Sequence, residues 1–362
     1  MNARSILPCA LLVMLFLLMP TRTLGSSAVQ GQMVLDVVPG GWESAHVWRP
    51  FVIYNGSFMM WYSGENSGGI DNVGLSTSAD GIKWARHPAN PVLRVGLPGQ
   101  WDANSVQAAW VIHEKGLYKM WFEGQTFSTG SIAKAAIGYA TSPNGVEWTK
   151  YSDNPVLSSG AAGAWDEGRI YGPVVISTGN SYVMYYRGLS SQGTVGQTGM
   201  ATSDDGIHWT KRASPISIPP STSGWDSYLW FLGGAMKSGG VYTMWYHGLR
   251  ASGANGEIGC ANSTDGIVWN VYPGNPVITY GPKGSWDEGG VYHPMAVTVG
   301  GNYYVYYEAY HAGRHRVGLA ILPMSQYPIP EFPWAVPIAA FAMTIAAFAL
   351  RKRRTPRKGQ GS

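Results

Sequence analysis

Charge and cysteine are what this chain of 362 residues has least of. Only 13% of its residues are Asp, Glu, Lys or Arg, about half the usual share of a globular protein, which excludes a coiled coil and a charged disordered chain. Of its two cysteines, Cys9 and Cys260, the first falls in an apolar leader. The mature chain therefore keeps Cys260 alone. No intrachain disulfide can form, and stability must come from packing. A lone cysteine reads first as a small core residue. No His/Cys/Asp spacing demands a metal, and no cofactor is expected. What the chain has in excess is Gly (48), Trp (16) and Tyr (21). Together they suit many short strands joined by tight turns.

The ends are distinct from the middle. Arg4, the apolar run Ile6 to Met19 and the small residues near Gly25 read as a secretory signal over 1–25. The other reading of this run is a membrane anchor, for which it is short. Residues 332–350 carry no charge and are followed by Arg351-Lys352-Arg353-Arg354. At about 1.5 Å per residue this stretch spans a hydrocarbon core, and the basic tail, 351–362, sets that end in the cytoplasm. Residues 323–331 form a short Pro-rich stalk. The expected localisation is the cell surface, with 26–322 outside and the membrane reached through the C-terminal helix. Two of the 25 basic residues belong to the leader and six to the tail, leaving 17 over 26–322 against 20 acids, the remaining acid being Glu331 in the stalk. The outer part is thus mildly acidic, about −3, and nucleic acid is not expected as a partner.

The middle is one unit repeated. Trp42, Trp101, Trp165, Trp225 and Trp286 each precede Asp or Glu, at spacings of 59, 64, 60 and 61. Trp61, Trp121, Tyr185, Trp245 and Tyr306 repeat at 60, 64, 60 and 61. Trp84, Trp148, Trp209 and Trp269 close strings such as Asp205-Gly206-Ile207-His208-Trp209. Each unit reads as four short strands. In the third, strand one is Arg169 to Ser177, strand two Tyr182 to Tyr186, strand three Thr198 to Ser203, and strand four Ile207 through Trp209. Asp205-Gly206 between the last two reads as a type I′ hairpin turn. Four-stranded units of about 60 residues in radial repetition predict an all-β chain, a five-bladed β-propeller of four-stranded blades plus a C-terminal transmembrane helix. An open solenoid is the alternative. The fifth copy lacks its Asp-Gly hairpin, so Met33 to Val37 is expected to complete the last blade and close the ring.

In such a ring the starts of the first strands and the ends of the second strands meet on one face. The first set supplies Glu43, His46, Arg49, Asn104, Glu167, Arg169, Tyr171, Trp230 and His293. The second is a variable position after the aromatic strand: Ser63, Glu123, Arg187, His247 and Glu308. Asp102, Asp166, Asp226 and Asp287 recur in every later copy and read as scaffold. The non-repeating residues are the candidates for chemistry, although a solvated channel mouth would be polar in any case. Long Gly/Ser-rich loops follow them and could wall a cleft. Acids, Arg, His and aromatic faces in a cleft suit an oligo- or polysaccharide. Asn55-Gly56-Ser57 and Asn262-Ser263-Thr264 are glycosylation sequons.

Residues of about 33 to 322 resemble the five-bladed propeller glycosidases, a superfamily of arabinanases and β-xylosidases, invertases and levansucrases, and mannoside phosphorylases. The strings that carry the resemblance are Ser203-Asp204-Asp205-Gly206-Ile207-His208-Trp209-Thr210-Lys211, Asn154-Pro155-Val156-Leu157 and Tyr242-Thr243-Met244-Trp245-Tyr246-His247-Gly248. It implies channel carboxylates acting as base or nucleophile and as acid. The family's Asp before Pro in the first blade is here Arg49-Pro50, and its Glu-Gly-Pro is Tyr171-Gly172-Pro173. A hydrolase would need replacements, for which Glu43, Glu123 and Glu167 are best placed as catalytic residues. His46, Arg49, Asn104, Arg169, Tyr171, Arg187, Trp230, His247, His293 and Glu308 are the candidate substrate contacts. Ser-x-Asp-Gly-x-x-Trp is also similar to the sialidase Asp-box, one residue short. Pro330-Glu331-Phe332-Pro333, the apolar helix and the basic tail resemble archaeal PEF-type sorting signals. Two readings stay open: a glycan-active enzyme, or a non-catalytic surface propeller binding glycans or an envelope protein. A monomer is expected.

Overall fold

The computed structural model describes residues 28–128, 131–191, 196–220 and 224–326. The expected leader, the stalk from 327, the apolar segment and the basic tail lie outside the described residues. Among the described residues all regular structure is strand, and no helix there is long and apolar enough to cross a membrane.

The chain opens with β1 (Gln32–Leu35). Then come β2 (His46–Tyr54), β3 (Phe58–Glu65), β4 (Asp71–Ser78) and β5 (Ala85–Arg86). The next four are β6 (Ser105–Glu114), β7 (Leu117–Ser128), β8 (Ser131–Ser142) and β9 (Thr149–Lys150). A third group is β10 (Arg169–Ser177), β11 (Tyr182–Leu189), β12 (Gln197–Ser203) and β13 (Thr210–Lys211). A fourth is β14 (Leu229–Ser238), β15 (Val241–Leu249), β16 (Glu257–Ser263) and β17 (Asn270–Val271). Last are β18 (Val291–Val299), β19 (Asn302–His311) and β20 (Arg314–Pro323).

Each group is an antiparallel meander of four strands, the first two joined by one parallel bridge between Asp71 and Ser105. β1 pairs with β20 and supplies the fourth strand of the last sheet. The first strands touch in a closed circuit, β2 to β6 to β10 to β14 to β18 and back to β2. This arrangement is consistent with a propeller, in which closure leaves little free sheet edge.

The aromatic repeat explains how the sheets are joined. Trp61 Nε1 donates to Gly145 O at 3.0 Å, Trp121 Nε1 to Gly206 O at 2.7 Å, and the Tyr185 hydroxyl to Gly266 O at 2.8 Å. The Tyr306 hydroxyl donates to Gly81 O at 2.9 Å, tying the last sheet to the first. These four second-strand aromatics thus bond the Asp-Gly or Asn-Gly turn of the following sheet. Trp245 faces the one sheet without that turn, and its buried Nε1 has no acceptor among the described residues.

The turn is not the type I′ hairpin expected from Asp205-Gly206. Only the glycine is left-handed (Gly206 φ 83°), whereas type I′ needs positive φ at both positions. Instead Asp205 Oδ1 accepts from the N–H of Ile207 and of His208 at 2.8 Å each, so the side chain holds the turn. Strand four accordingly starts later than Ile207, at Thr210. The Asn-Pro strings are edge devices: Asn154 Oδ1 accepts from Tyr139 N at 2.8 Å and its Nδ2 donates to Tyr139 O at 2.9 Å. An amide side chain there stands in for a strand partner.

Candidate functional site

A β-bulge interrupts every first strand at the same depth, between Trp48 and Phe51, Gln107 and Trp110, Tyr171 and Val174, Leu232 and Gly234, and Tyr292 and Met295. Bulges re-aim side chains. At three of them the chain enters a left-handed residue just before proline: Arg49 (φ 47°), Gly172 (φ 63°) and His293 (φ 45°). For Arg49 and His293 this conformation costs on the order of 1–3 kcal/mol. Both side chains grip a buried carboxylate.

Arg49 Nη1 lies 2.6 Å from Glu123 Oε2, which also accepts from Gly172 N at 3.1 Å. Gln125 Nε2 donates to Glu123 Oε1. Glu308 is held from two sides, by His293 Nδ1 at 2.8 Å and by His315 Nδ1 at 2.6 Å. Burial alone would raise the Glu308 pKa; the His293 and His315 charges and hydrogen bonds outweigh it and hold the carboxyl well below its usual range. The opposite balance applies at His315, where burial disfavours the cation but Glu308 raises its pKa. Burial wins at His247 and His293, whose pKa values fall. His247 Nδ1 accepts from His293 N at 3.1 Å, and His46 Nδ1 from His315 N at 3.2 Å. Both are therefore neutral tautomers with the proton on Nε2.

Ser63, Glu123, Arg187, His247 and Glu308, read from sequence as a solvated rim, are all buried, between 0 and 5% exposed. Two small confluent cavities lie here, of about 40 and 20 Å³, and share Arg49, Gly172, Leu232 and His293 as lining. Phe51, Trp110 and Val174 line the apolar end, and Tyr171, Arg187 and Thr198 the polar one. A larger outer groove, about 530 Å³ between Trp101, Lys134 and Pro155, carries one charged side chain.

The other candidates are placed elsewhere. Glu43 pairs with Arg86 at 2.5 Å, as Asp102 pairs with Lys150 at 2.5 Å and Asp166 with Lys211 at 2.6 Å. It is the first copy of a latch between the start of a sheet and its fourth strand. Glu167 lies in a surface loop, accepting from Ser191 Oγ and Gly163 N at 2.5 Å each; the Ser191 bond leads the effects that lower its pKa. Glu288 repeats that contact with Gly284 N, so the Glu167 loop is a scaffold element. Asn104 Oδ1 accepts from Phe127 N at 2.9 Å, and Arg169 stands opposite Leu189 at the head of β10. The Trp230 side chain lies outside the described part of the structure. Among the described residues no group of three or more His, Cys, Asp or Glu is placed to hold a metal ion.

The sequence reading missed Asp71 and His315. Both sit on third strands, opposite the position two residues past the variable one (Glu65 and Tyr310), where the repeat carries no marker. Asp71 Oδ2 accepts from Ser105 Oγ at 2.9 Å, while its buried Oδ1 has no partner among the described residues. Burial, then the Glu65 charge, pushes its pKa up to about 7 against the pull of Ser105 and Arg49, with Glu123 adding to the push. The folded state thus keeps a proton that the unfolded chain releases near pH 4. That contribution to stability is present below about pH 4 and is lost as pH rises to about 7. Asp71→Asn cannot lose it. The melting temperature of Asp71→Asn relative to wild type should therefore climb across this interval; a difference independent of pH contradicts the assignment.

No family model matches the chain. Two uncharacterized proteins of Mycobacterium tuberculosis strains are 28% identical over 290 residues, covering 78% of this chain and 94% of theirs. Among solved structures, BT0996 in its RGII complex aligns with a TM-score of 0.65 at 19% identity, over 81% of this chain and 92% of its own. β-1,2-Mannobiose phosphorylase from Listeria innocua aligns at 0.61 and 13%, over 81% and 95%. An N-acetylgalactosamine deacetylase from F. plautii, bound to blood group B trisaccharide, aligns at 0.63 and 16%, over 83% and 97%. At these identities the likeness is one of fold: that of glycoside hydrolase- and phosphorylase-like proteins.

Proposed function

We propose that this chain is a monomeric, cell-surface, five-bladed propeller that binds an oligo- or polysaccharide at the mouth of its central channel. Residues 26–322 lie outside and the apolar segment 332–350 anchors them. The observation that carries the reading is the pair Arg49 and His293. Two strained residues in different sheets each fix a buried carboxylate, Glu123 and Glu308, beside one cavity. Strain held at a bulge, where any L-residue would prefer another conformation, points to a site rather than to scaffold. The neighbours named above include proteins in complex with oligosaccharides, which agrees with the ligand class. Full-length protein on a glycan panel should bind a subset of sugars, and Glu308→Gln should abolish that binding.

A second reading, hydrolysis of glycosidic bonds, is favoured by the unequal carboxyls. Asp71, held protonated up to about pH 7, faces Glu123 and Arg49, while Glu308 stays ionised. Environments that push two carboxyls apart suit an acid and its ionised counterpart. Release of reducing sugar from a bound polysaccharide, lost in Asp71→Asn, is the expected result. Binding without release restricts the site to recognition.

A further inference from the structure

We propose that the outer groove between Trp101 and Pro155 extends the glycan site, receiving neutral sugar units of a chain whose other units are held at the mouth of the central channel. The inference rests on that mouth being the glycan site, and adds a second stretch of contacts to it.

The groove exists because one sheet departs from the repeat. One residue pair beyond the variable position, the third strands carry Asn72, Ala136, Gln197, Glu257 and Arg316. Beside them runs the edge segment that follows Leu93, Leu157, Ile216, Ile278 and, in the last sheet, Leu35. In the first sheet Asn72 reaches across to that segment, its Oδ1 accepting from Val95 N at 3.0 Å. In the last sheet Arg316 does the same, its Nε donating to Asp36 Oδ1 at 3.0 Å. In the fourth, Glu257 is buried and pairs with Arg250 at 3.1 Å. The second sheet has Ala136 in this place, across from Ser158 and Ser159. None of these three side chains is long enough to make the crossing, and about 530 Å³ stays open. The fold does not require the opening, since the first and last sheets bridge the same place.

The groove begins beside the central cluster. Ala135 and Ala136 in its wall stand opposite Gln125 and Gly124, which directly follow Glu123 on β7. Gln125 Nε2 in turn bonds Glu123. The volume falls among those of small-molecule sites, roughly 300–1,000 Å³. The lining is mixed. Trp101, Pro155 and the two alanines are apolar, while Ser158, Ser159 and Lys134 are exposed polar groups. Aromatic and proline surfaces suit the C–H face of a sugar ring, and hydroxyls and an ammonium suit its OH groups. A single lysine open to water attracts an anion only weakly, so neutral sugars are the expected class. No Asp or Glu is among the described lining residues, so the groove holds a chain and does not cleave it.

The test is a ladder of chain lengths. Full-length protein is titrated with xylo-, manno- and arabino-oligosaccharides of two to six units. In a series that binds, the hexamer should bind about 10-fold more tightly than the dimer, the gain expected of one or two hydrogen bonds. Ala136→Arg with Ser158→Asp copies the Arg316–Asp36 bridge of the last sheet into the second. This double variant should bind the hexamer no more tightly than the dimer. Ser159→Ile, which copies Ile218 of the third sheet at an exposed position, should lose part of the gain, and it serves if the double variant does not fold. A gain with chain length that survives in both variants overturns the inference and leaves the central site standing. So does a wild-type protein that binds dimer and hexamer alike. Absence of binding to all three series overturns both.

Discussion

Replacing Arg49 with methionine is expected to cost about 3–5 kcal/mol of stability, because it strands the Glu123 charge in a place with no access to water. Glu123 is 0% exposed, and its other partners, Gly172 N–H and Gln125 Nε2, are dipoles rather than cations. The melting temperature should fall on the order of 10 °C. The mechanism makes a sharper demand on the double variant. Removing the charge as well, in Arg49→Met with Glu123→Gln, should recover most of the loss, since the penalty belongs to the unmatched charge and not to the missing side chain. Additive losses would show that Arg49 contributes by packing instead. Neither variant should bind glycan, so stability and recognition separate in the double variant.

Trp121→Ala is expected to lose a comparable amount, about 3–5 kcal/mol. The indole is fully buried, packs against Tyr139, Tyr182 and Trp209, and bonds the carbonyl of Gly206 in the next sheet. The comparison that isolates the bond is Trp to Phe at two equivalent positions. Trp121→Phe deprives Gly206 O of its donor. Trp245→Phe removes an Nε1–H that has no acceptor among the described residues, because the last sheet lacks the Asp-Gly turn. Denaturant unfolding should find Trp245→Phe clearly the milder change. Equal losses would mean that these bonds between sheets contribute nothing.

The same contrast shows what could be read from the sequence. The aromatic series was legible because the second-strand aromatics other than Trp245 make the same bond to the next sheet, so one physical demand is written again at nearly every period. The closing role of the N-terminal strand was legible for the same reason: a missing element at one end matched a spare one at the other. The site was only half legible. Glu123, Arg187, His247 and Glu308 stood out as the variable residues in a fixed string, and the structure brings them into one buried cluster. Glu43 reads from sequence as a catalytic candidate at the start of a first strand, whereas its carboxylate pairs with Arg86 as Asp166 pairs with Lys211. Asp71 and His315 stayed hidden because their third-strand position carries no repeated marker. The turn type was misjudged because Asp-Gly alone does not reveal that the Asp side chain, and not a second left-handed residue, shapes the bend.

The most direct test sets Glu308→Gln against Glu167→Gln on the same glycan panel, both in the full-length chain. From sequence Glu167 is a catalytic candidate and Glu308 a substrate contact, but Glu308 lies buried between His293 and His315 at the centre and Glu167 in a surface loop. Loss of glycan binding in Glu308→Gln, with Glu167→Gln binding like wild type, is the result expected of a central site. Retained binding in Glu308→Gln together with loss in Glu167→Gln would move recognition to the outer surface and contradict it.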